Sequence, residues 1–150
     1  MTDLSNSNTE ELTLSLSRTI NAPVEKVFQA WLNPEILAKF MIPGSGMCEP
    51  KVSTDAVEGG HFSIVMLAAD KELPHTGVYQ KITPHSQIIF SWESAQSIDG
   101  SVVTLNFQSN SKGTLIELQQ QKFYSEETRA AHNGGWQAIL QHLDQLLCAA

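Results

Sequence analysis

The chain has little with which to hold a polyanion. Nine Lys and Arg stand against sixteen Asp and Glu among 150 residues, a net charge of −7, and the basic residues form no block. Nucleic acid and anionic membrane surfaces are therefore excluded as expected partners, because both are held chiefly by clustered positive charge. Cysteine is almost absent. Cys48 and Cys148 are the two present, and they make neither a CxxC pair nor a disulfide framework. Both are expected to be free thiols in a reducing compartment, Cys48 as a buried, inert one. No apolar run approaches the roughly 18 residues that a membrane helix requires. The opening MTDLSNSNTEE lacks the basic-then-apolar pattern of a secretory signal. These features lead to an expectation of a cytoplasmic protein with a flexible polar tail over residues 1–11 and one domain over 12–148.

Catalytic and metal-binding signatures are missing too. The five histidines, His61, His75, His85, His132 and His142, form no HxxxH pair and lie near no cysteine at ligand spacing, so no metal site is assigned. There is no G-x-S-x-G elbow and no phosphate-binding glycine loop, since Gly59-Gly60 leads into a strand pattern. No catalytic residue and no cofactor is assigned.

What the chain does have is one long amphipathic segment at its end. From Ser125 to Cys148, Trp136, Ile139, Leu140, Leu143, Leu146 and Leu147 fall on one side of a helical wheel, with Gln137, Gln141, Asp144 and Gln145 opposite. Ser125 suits the N-cap, and Glu126 and Glu127 place negative charge in the first turn. Toward the N-terminus the apolar side continues through His132 and Arg129, and Gly134-Gly135 marks the change. That half either projects into water or borders a cavity.

Ahead of it, Leu12, Leu14, Leu16 and Ile20 alternate with Thr and Ser as in a strand wet on one face. Arg18 interrupts the apolar side, which calls for a sheet edge or a carboxylate partner. Pro23 opens a helix whose Val24, Val27, Phe28 and Trp31 form one stripe; Asn33-Pro34 caps and opens another, with Ile36, Leu37 and Phe40 inside. Six strand patterns follow, around 47–53, 61–67, 75–82, 88–93, 103–107 and 114–123, joined by short turns at Gly59-Gly60, Thr83 to Ser86, Asp99-Gly100 and Asn110 to Gly113.

The order β-α-α-β6-α predicts an α+β fold, a curved seven-stranded antiparallel sheet wrapped around the long C-terminal helix. One apolar sheet face needs a cover, and the last segment is the only long amphipathic element. A twisted sheet of that size curls, leaving a concave space where side chains are too small or too polar to fill it. Trp31, Phe40 and Met41 from the short helices fall on inward faces, as do Phe62, Ile64 and Met66 from one strand pattern. Tyr79, Trp92, Phe107 and Leu118 come from the next ones, and Trp136 from the final helix. Gln120 and His132 are polar residues on or near those faces. This set is the candidate ligand-binding lining, and the candidate ligand is a small hydrophobic molecule.

The pieces Ala22-Pro23 with Val27-Phe28 and Trp31, Asn33-Pro34-Glu35 with Leu37, Asp55 before Gly59-Gly60, Gly77-Val78-Tyr79 leading to Thr83-Pro84, and Ser125-Glu126-Glu127 with Gly135-Trp136 stand in this order over residues 12–148. In that arrangement the chain resembles the START-like (SRPBCC) superfamily of helix-grip folds, and within it the AHSA1-like group named after the activator of Hsp90 ATPase. The resemblance implies a cavity between helix and sheet and a hydrophobic-ligand-binding role. Alternatives it also implies are an enzyme of polyketide cyclase/aromatase or hydrolase type in the same cavity, an Hsp90-related co-chaperone, and pairing as a homodimer. The chain departs from the group at Phe40-Met41, where relatives often have two tryptophans, at Val57 in place of arginine, and at Gln120 in place of histidine.

Overall fold

The structure, a computed structural model, describes residues 12–44, 47–68, 71–94, 100–121, 123 and 125–148. The tail expected over 1–11 and the Asp99 half of one turn lie outside the described residues. In chain order the elements are β1 (Thr13–Ile20), α1 (Val24–Ala30), α2 (Pro34–Phe40), β2 (Met47–Thr54), β3 (His61–Ala68), β4 (Lys71–Thr83), β5 (Gln87–Ser91), β6 (Glu93–Ser94), β7 (Val102–Asn110), β8 (Gly113–Gln121) and α3 (Glu126–Cys148). Seven strands follow one antiparallel path, β1-β8-β7-β5-β4-β3-β2, and the two-residue β6 pairs with β4 off that path. This is the expected α+β helix-grip arrangement.

The caps behave as their chemistry predicts. Asn33 Oδ1 accepts hydrogen bonds from Glu35 N at 2.9 Å and Ile36 N at 3.3 Å, opening α2. Ser125 Oγ accepts from Thr128 N at 3.2 Å, opening α3. Pro23 sits one position earlier than expected, as the N-cap of α1 with extended backbone. The concave face of the sheet is covered by α3, whose Trp136, Ile139, Leu140, Leu143 and Leu147 are buried together with Leu14, Ile88, Leu105, Ile116 and Leu118. Each such side chain contributes about 1.5–3 kcal/mol by leaving water. At the edge strand β1, Arg18 donates from Nε to Asp144 of α3 at 3.1 Å, so it has found both an edge and a carboxylate.

Three local features differ from the sequence expectations. Strand β4 begins at Lys71 and runs through Pro74, where β3 is the one strand paired with it among the described residues. Cys48 is exposed and not buried, because β2 is the other edge strand and its register slips between Cys48 and Lys51. The expected strand over 88–93 is broken at Trp92: β5 ends at Ser91 and β6 resumes against the earlier part of β4. Phe90, Ser91 and Trp92 are all buried, so the inside-outside alternation fails there and Trp92 turns into the interior.

Gly77 makes that break possible. A Cβ at this position would collide with the Ser91 carbonyl oxygen and press into the ring of Phe62. Only glycine lets the two backbones approach so closely. Gly77→Ala is therefore expected to cost about 3 kcal/mol by overpacking, read as a lower urea midpoint at unchanged slope.

Candidate functional site

A cavity of about 570 Å³ lies between the N-terminal half of α3 and the wall made by β3, β4 and Trp92. From the helix it is bordered by Glu127, Thr128, Ala131, His132, Gly135, Trp136 and Ile139, from the sheet by Met66, Leu73, His75 and Trp92, and from the loop after α2 by Pro43. Its inner walls are indoles and aliphatic carbons, with the polar groups on few residues. The volume falls within the roughly 300–1,000 Å³ that enclose a small organic ligand.

Two aromatic contacts fix the floor. The rings of Trp92 and Trp136 lie 5.0 Å apart at 56°, and His75 lies 4.9 Å from Trp92 at 35°. Trp136 is oriented from behind. Its Nε1 donates to Gln120 Oε1 at 2.7 Å, Gln120 Nε2 donates to Ser101 Oγ at 3.0 Å, and Ser101 Oγ donates to the Gln121 carbonyl at 3.0 Å. Gln120 is completely buried, and the relay leaves neither end of its amide unpaired.

The sheet side is less well satisfied. His75 Nδ1 and Trp92 Nε1 are buried and have no hydrogen-bond partner among the described residues. Burial pushes the His75 imidazole below its ordinary 6.5, and the facing His132 adds to the effect. The carbonyls of Leu73 and Ile64 lie near enough to favour the cation in part, but neither meets Nδ1 in hydrogen-bond geometry. On the helix side, His132 Nδ1 lies 2.9 Å from the Thr128 carbonyl, and its ring packs 5.2 Å from Phe123. A carbonyl only accepts, so Nδ1 carries the proton.

Gly135 borders the cavity where α3 meets Pro43; a Cβ there would come 3.2 Å from the Pro43 Cβ, whereas Gly134 faces open space. The glycine pair thus has one member at which a side chain would press on a neighbour. The N-terminal half of α3 borders a cavity, the second of the two possibilities its pattern left open.

Of the residues expected to line a site, Met66, Trp92, His132 and Trp136 surround this cavity. Trp31, Met41, Phe62, Ile64 and Tyr79 lie deeper, around a void of about 10 Å³ that is too small for more than a single water. Phe40, Phe107 and Leu118 border neither space; Phe107 packs edge-on against Phe28 at 5.3 Å, and Phe40 against Trp31 at 5.0 Å. Gln120 stands behind Trp136 and reaches the cavity only through it. Tyr79 sits beside Phe62 at 5.4 Å, and burial pushes its phenol up to about 12. Arg129 turns away to donate to the Thr13 carbonyl at 3.0 Å and to pair with Glu126 at 2.6 Å. Inward-facing periodicity could not separate filled core from open wall. Pro43, Leu73, Glu127, Thr128, Ala131 and Ile139 were missed, although the helical spacing of 128, 131, 132, 135, 136 and 139 was a usable signal.

Among the described residues no group of three His, Cys, Asp or Glu is placed to hold a metal ion, and no helix is long and apolar enough to cross a membrane.

The profile of the family described as "Activator of Hsp90 ATPase homolog 1-like protein" matches residues 21–148. Comparison with curated proteins gives no match. Among solved structures, the chain is similar to protein CV1439 of Chromobacterium violaceum, with a TM-score of 0.81 at 25% identity over 90% of this chain and 96% of that one. It is similar to an AHSA1-like protein of Aeromonas hydrophila, with a TM-score of 0.80 at 25% identity over 92% and 93%. A Staphylococcus aureus protein of unknown function, SA2116, shares the fold at 16% identity and a TM-score of 0.78, over 93% and 95%.

Two outcomes follow from the site's geometry. Gln120→Leu strands the Trp136 indole N–H in the core and is expected to cost about 1–3 kcal/mol, with a shift in tryptophan emission as Trp136 is released. For His75 the folded state holds the lower pKa, so its contribution is complete above the unfolded value of 6.5 and is lost as pH falls below it. Urea stability should therefore drop between about pH 7.5 and pH 5.5, and His75→Phe should flatten that dependence.

Proposed function

The chain belongs to the Activator of Hsp90 ATPase homolog 1-like family, within the START-like superfamily, and on that premise we propose that it binds a small hydrophobic molecule in the cavity beside the first half of α3. The observation that carries the proposal is an opening of about 570 Å³ whose walls include Met66, Leu73, Trp92, Trp136 and Ile139. Transfer of an apolar molecule onto such walls gains about 25 cal/mol per Å² removed from water. The walls are held before any ligand arrives: Trp136 by Gln120, and Trp92 by its position between Trp136 and His75. A preformed site does not spend binding energy on ordering itself. Met66, Trp92, His132 and Trp136 are the proposed contacts from the original candidate set. A cytoplasmic setting is part of the proposal, supported by the exposed Cys48 thiol.

An enzyme of cyclase, aromatase or hydrolase type is a second use of the same space, favoured by the two imidazoles, His75 and His132, close enough for their charges to interact. The co-chaperone alternative draws little from the surface, where Val57 is the one large apolar side chain exposed among the described residues.

Native mass spectrometry of freshly purified protein should show a retained organic molecule and report at once whether the chain pairs with itself; a molecule recovered chemically altered would favour the enzyme. Ala131→Trp, which places an indole in the cavity from the helix side, should weaken binding by at least about tenfold while the urea midpoint stays near that of the parent. Unchanged affinity in a folded Ala131→Trp protein would remove the cavity as the binding site.

A further inference from the structure

The proposed cavity has a polarity as well as a shape, and with it we infer that the ligand's polar end donates hydrogen bonds and carries no negative charge, being a neutral hydroxyl or an ammonium and not a carboxylate or phosphate. This inference rests on the cavity being a binding site.

Three observations support it. First, none of the described residues bordering the cavity is Lys or Arg, whereas Glu127 is one of them and forms no ion pair among the described residues. A carboxylate entering would leave water without meeting a cation, and burying an unpaired charge is among the costliest steps in binding. The Glu127 carboxylate would add repulsion.

Second, the Nδ1–H of His132 is committed to the Thr128 carbonyl. In the neutral imidazole the remaining nitrogen, Nε2, is then an acceptor and calls for a donor. With Glu127 it makes two acceptors on one stretch of α3. The positive end of that helix does not counter them, because Ser125 already caps it and Glu126 and Glu127 already supply negative charge to its first turn.

Third, Trp92 and Trp136 present two indole rings 5.0 Å apart on the same cavity. Indole faces attract a cation and accept an apolar ring, and they repel an anion. His75 opposes this selection only if charged, and burial disfavours its charged form.

The test uses four probes with one apolar body, namely naphthalene, 1-naphthalenemethanol, 1-naphthylmethylamine and 1-naphthoic acid, each titrated against the full chain at about pH 8, above the ordinary imidazole range, with quenching of tryptophan emission as the readout. The alcohol or the amine should bind at least about tenfold more tightly than the acid. His132→Phe should remove most of the alcohol's advantage over naphthalene, and Glu127→Gln most of the amine's advantage over the alcohol. Acid binding as tight as or tighter than both would overturn the inference while leaving the binding site standing. Failure of all four, naphthalene included, would remove the site itself and this inference with it. Should His132→Phe fold poorly, the order of the four affinities in the parent protein still decides.

Discussion

The indole of Trp136 is tied to the amide of Gln120 by one hydrogen bond in the middle of the core, and the position of the whole terminal helix follows from it. Gln120 is a polar residue on an inward position of β8, with no access to solvent. Left alone there, it would be among the most destabilising groups in the molecule. With the indole on one side and Ser101 on the other it becomes a registration point. A purely apolar helix face can slide along an apolar sheet at small cost, whereas a buried donor with one available acceptor cannot. The bond thus sets the register of α3 along the sheet.

From that point α3 has two different halves. Toward its C-terminus, Ile139, Leu140, Leu143 and Leu147 cover the part of the sheet lined by Leu105, Ile116 and Leu118, and Arg18 closes the edge against Asp144. Toward its N-terminus the helix carries Ala131, His132 and Gly135, and its near neighbours are Pro43 and the ring of Phe123. Small and half-polar side chains cannot fill the distance to β3 and β4, and the cavity is the volume left over. The break in the sheet at Trp92 works in the same direction. By turning an indole inward between β5 and β6, it seals the deep aromatic core from the open space, so a nearly solid region and a large cavity share one wall residue.

The architecture was legible from the residues because it depends on periodicity. Alternation in β1, β3, β7 and β8, the stripe on α3, the Asn33 and Ser125 caps and the Asn110 to Gly113 connection each act locally and point to the same fold. The departures occurred where a distant partner overrides the local pattern: Trp92, whose strand is interrupted by the approach of Gly77, and Cys48, whose exposure depends on which strand lies at the edge. The site was less legible for a related reason. Phe62, Tyr79 and Trp92 carry the same inward signature, yet one void around the first two holds scarcely a water while Trp92 borders some 570 Å³. Whether an inward side chain touches a neighbour or empty space depends on elements far away in sequence. Glu127 was read only as a first-turn charge, since its place beside the cavity exists only once β4 stands opposite it.

The two sides of the open space differ in how far their buried polar atoms are satisfied. Gln120 and Ser101, behind Trp136, are satisfied, so the fold can complete a buried polar chain where position matters to it. On the opposite wall His75 Nδ1 and Trp92 Nε1 have no partner among the described residues, each at a cost of about 1–3 kcal/mol if nothing meets them. Phenylalanine at both positions would keep the aromatic contact and avoid the cost. Trp31 Nε1, beside the small void, and His142 Nδ1, toward the other end of α3, are buried without a partner among the described residues as well. Such lapses are therefore not confined to this wall; what sets the Trp136 side apart is that its buried polar chain is complete.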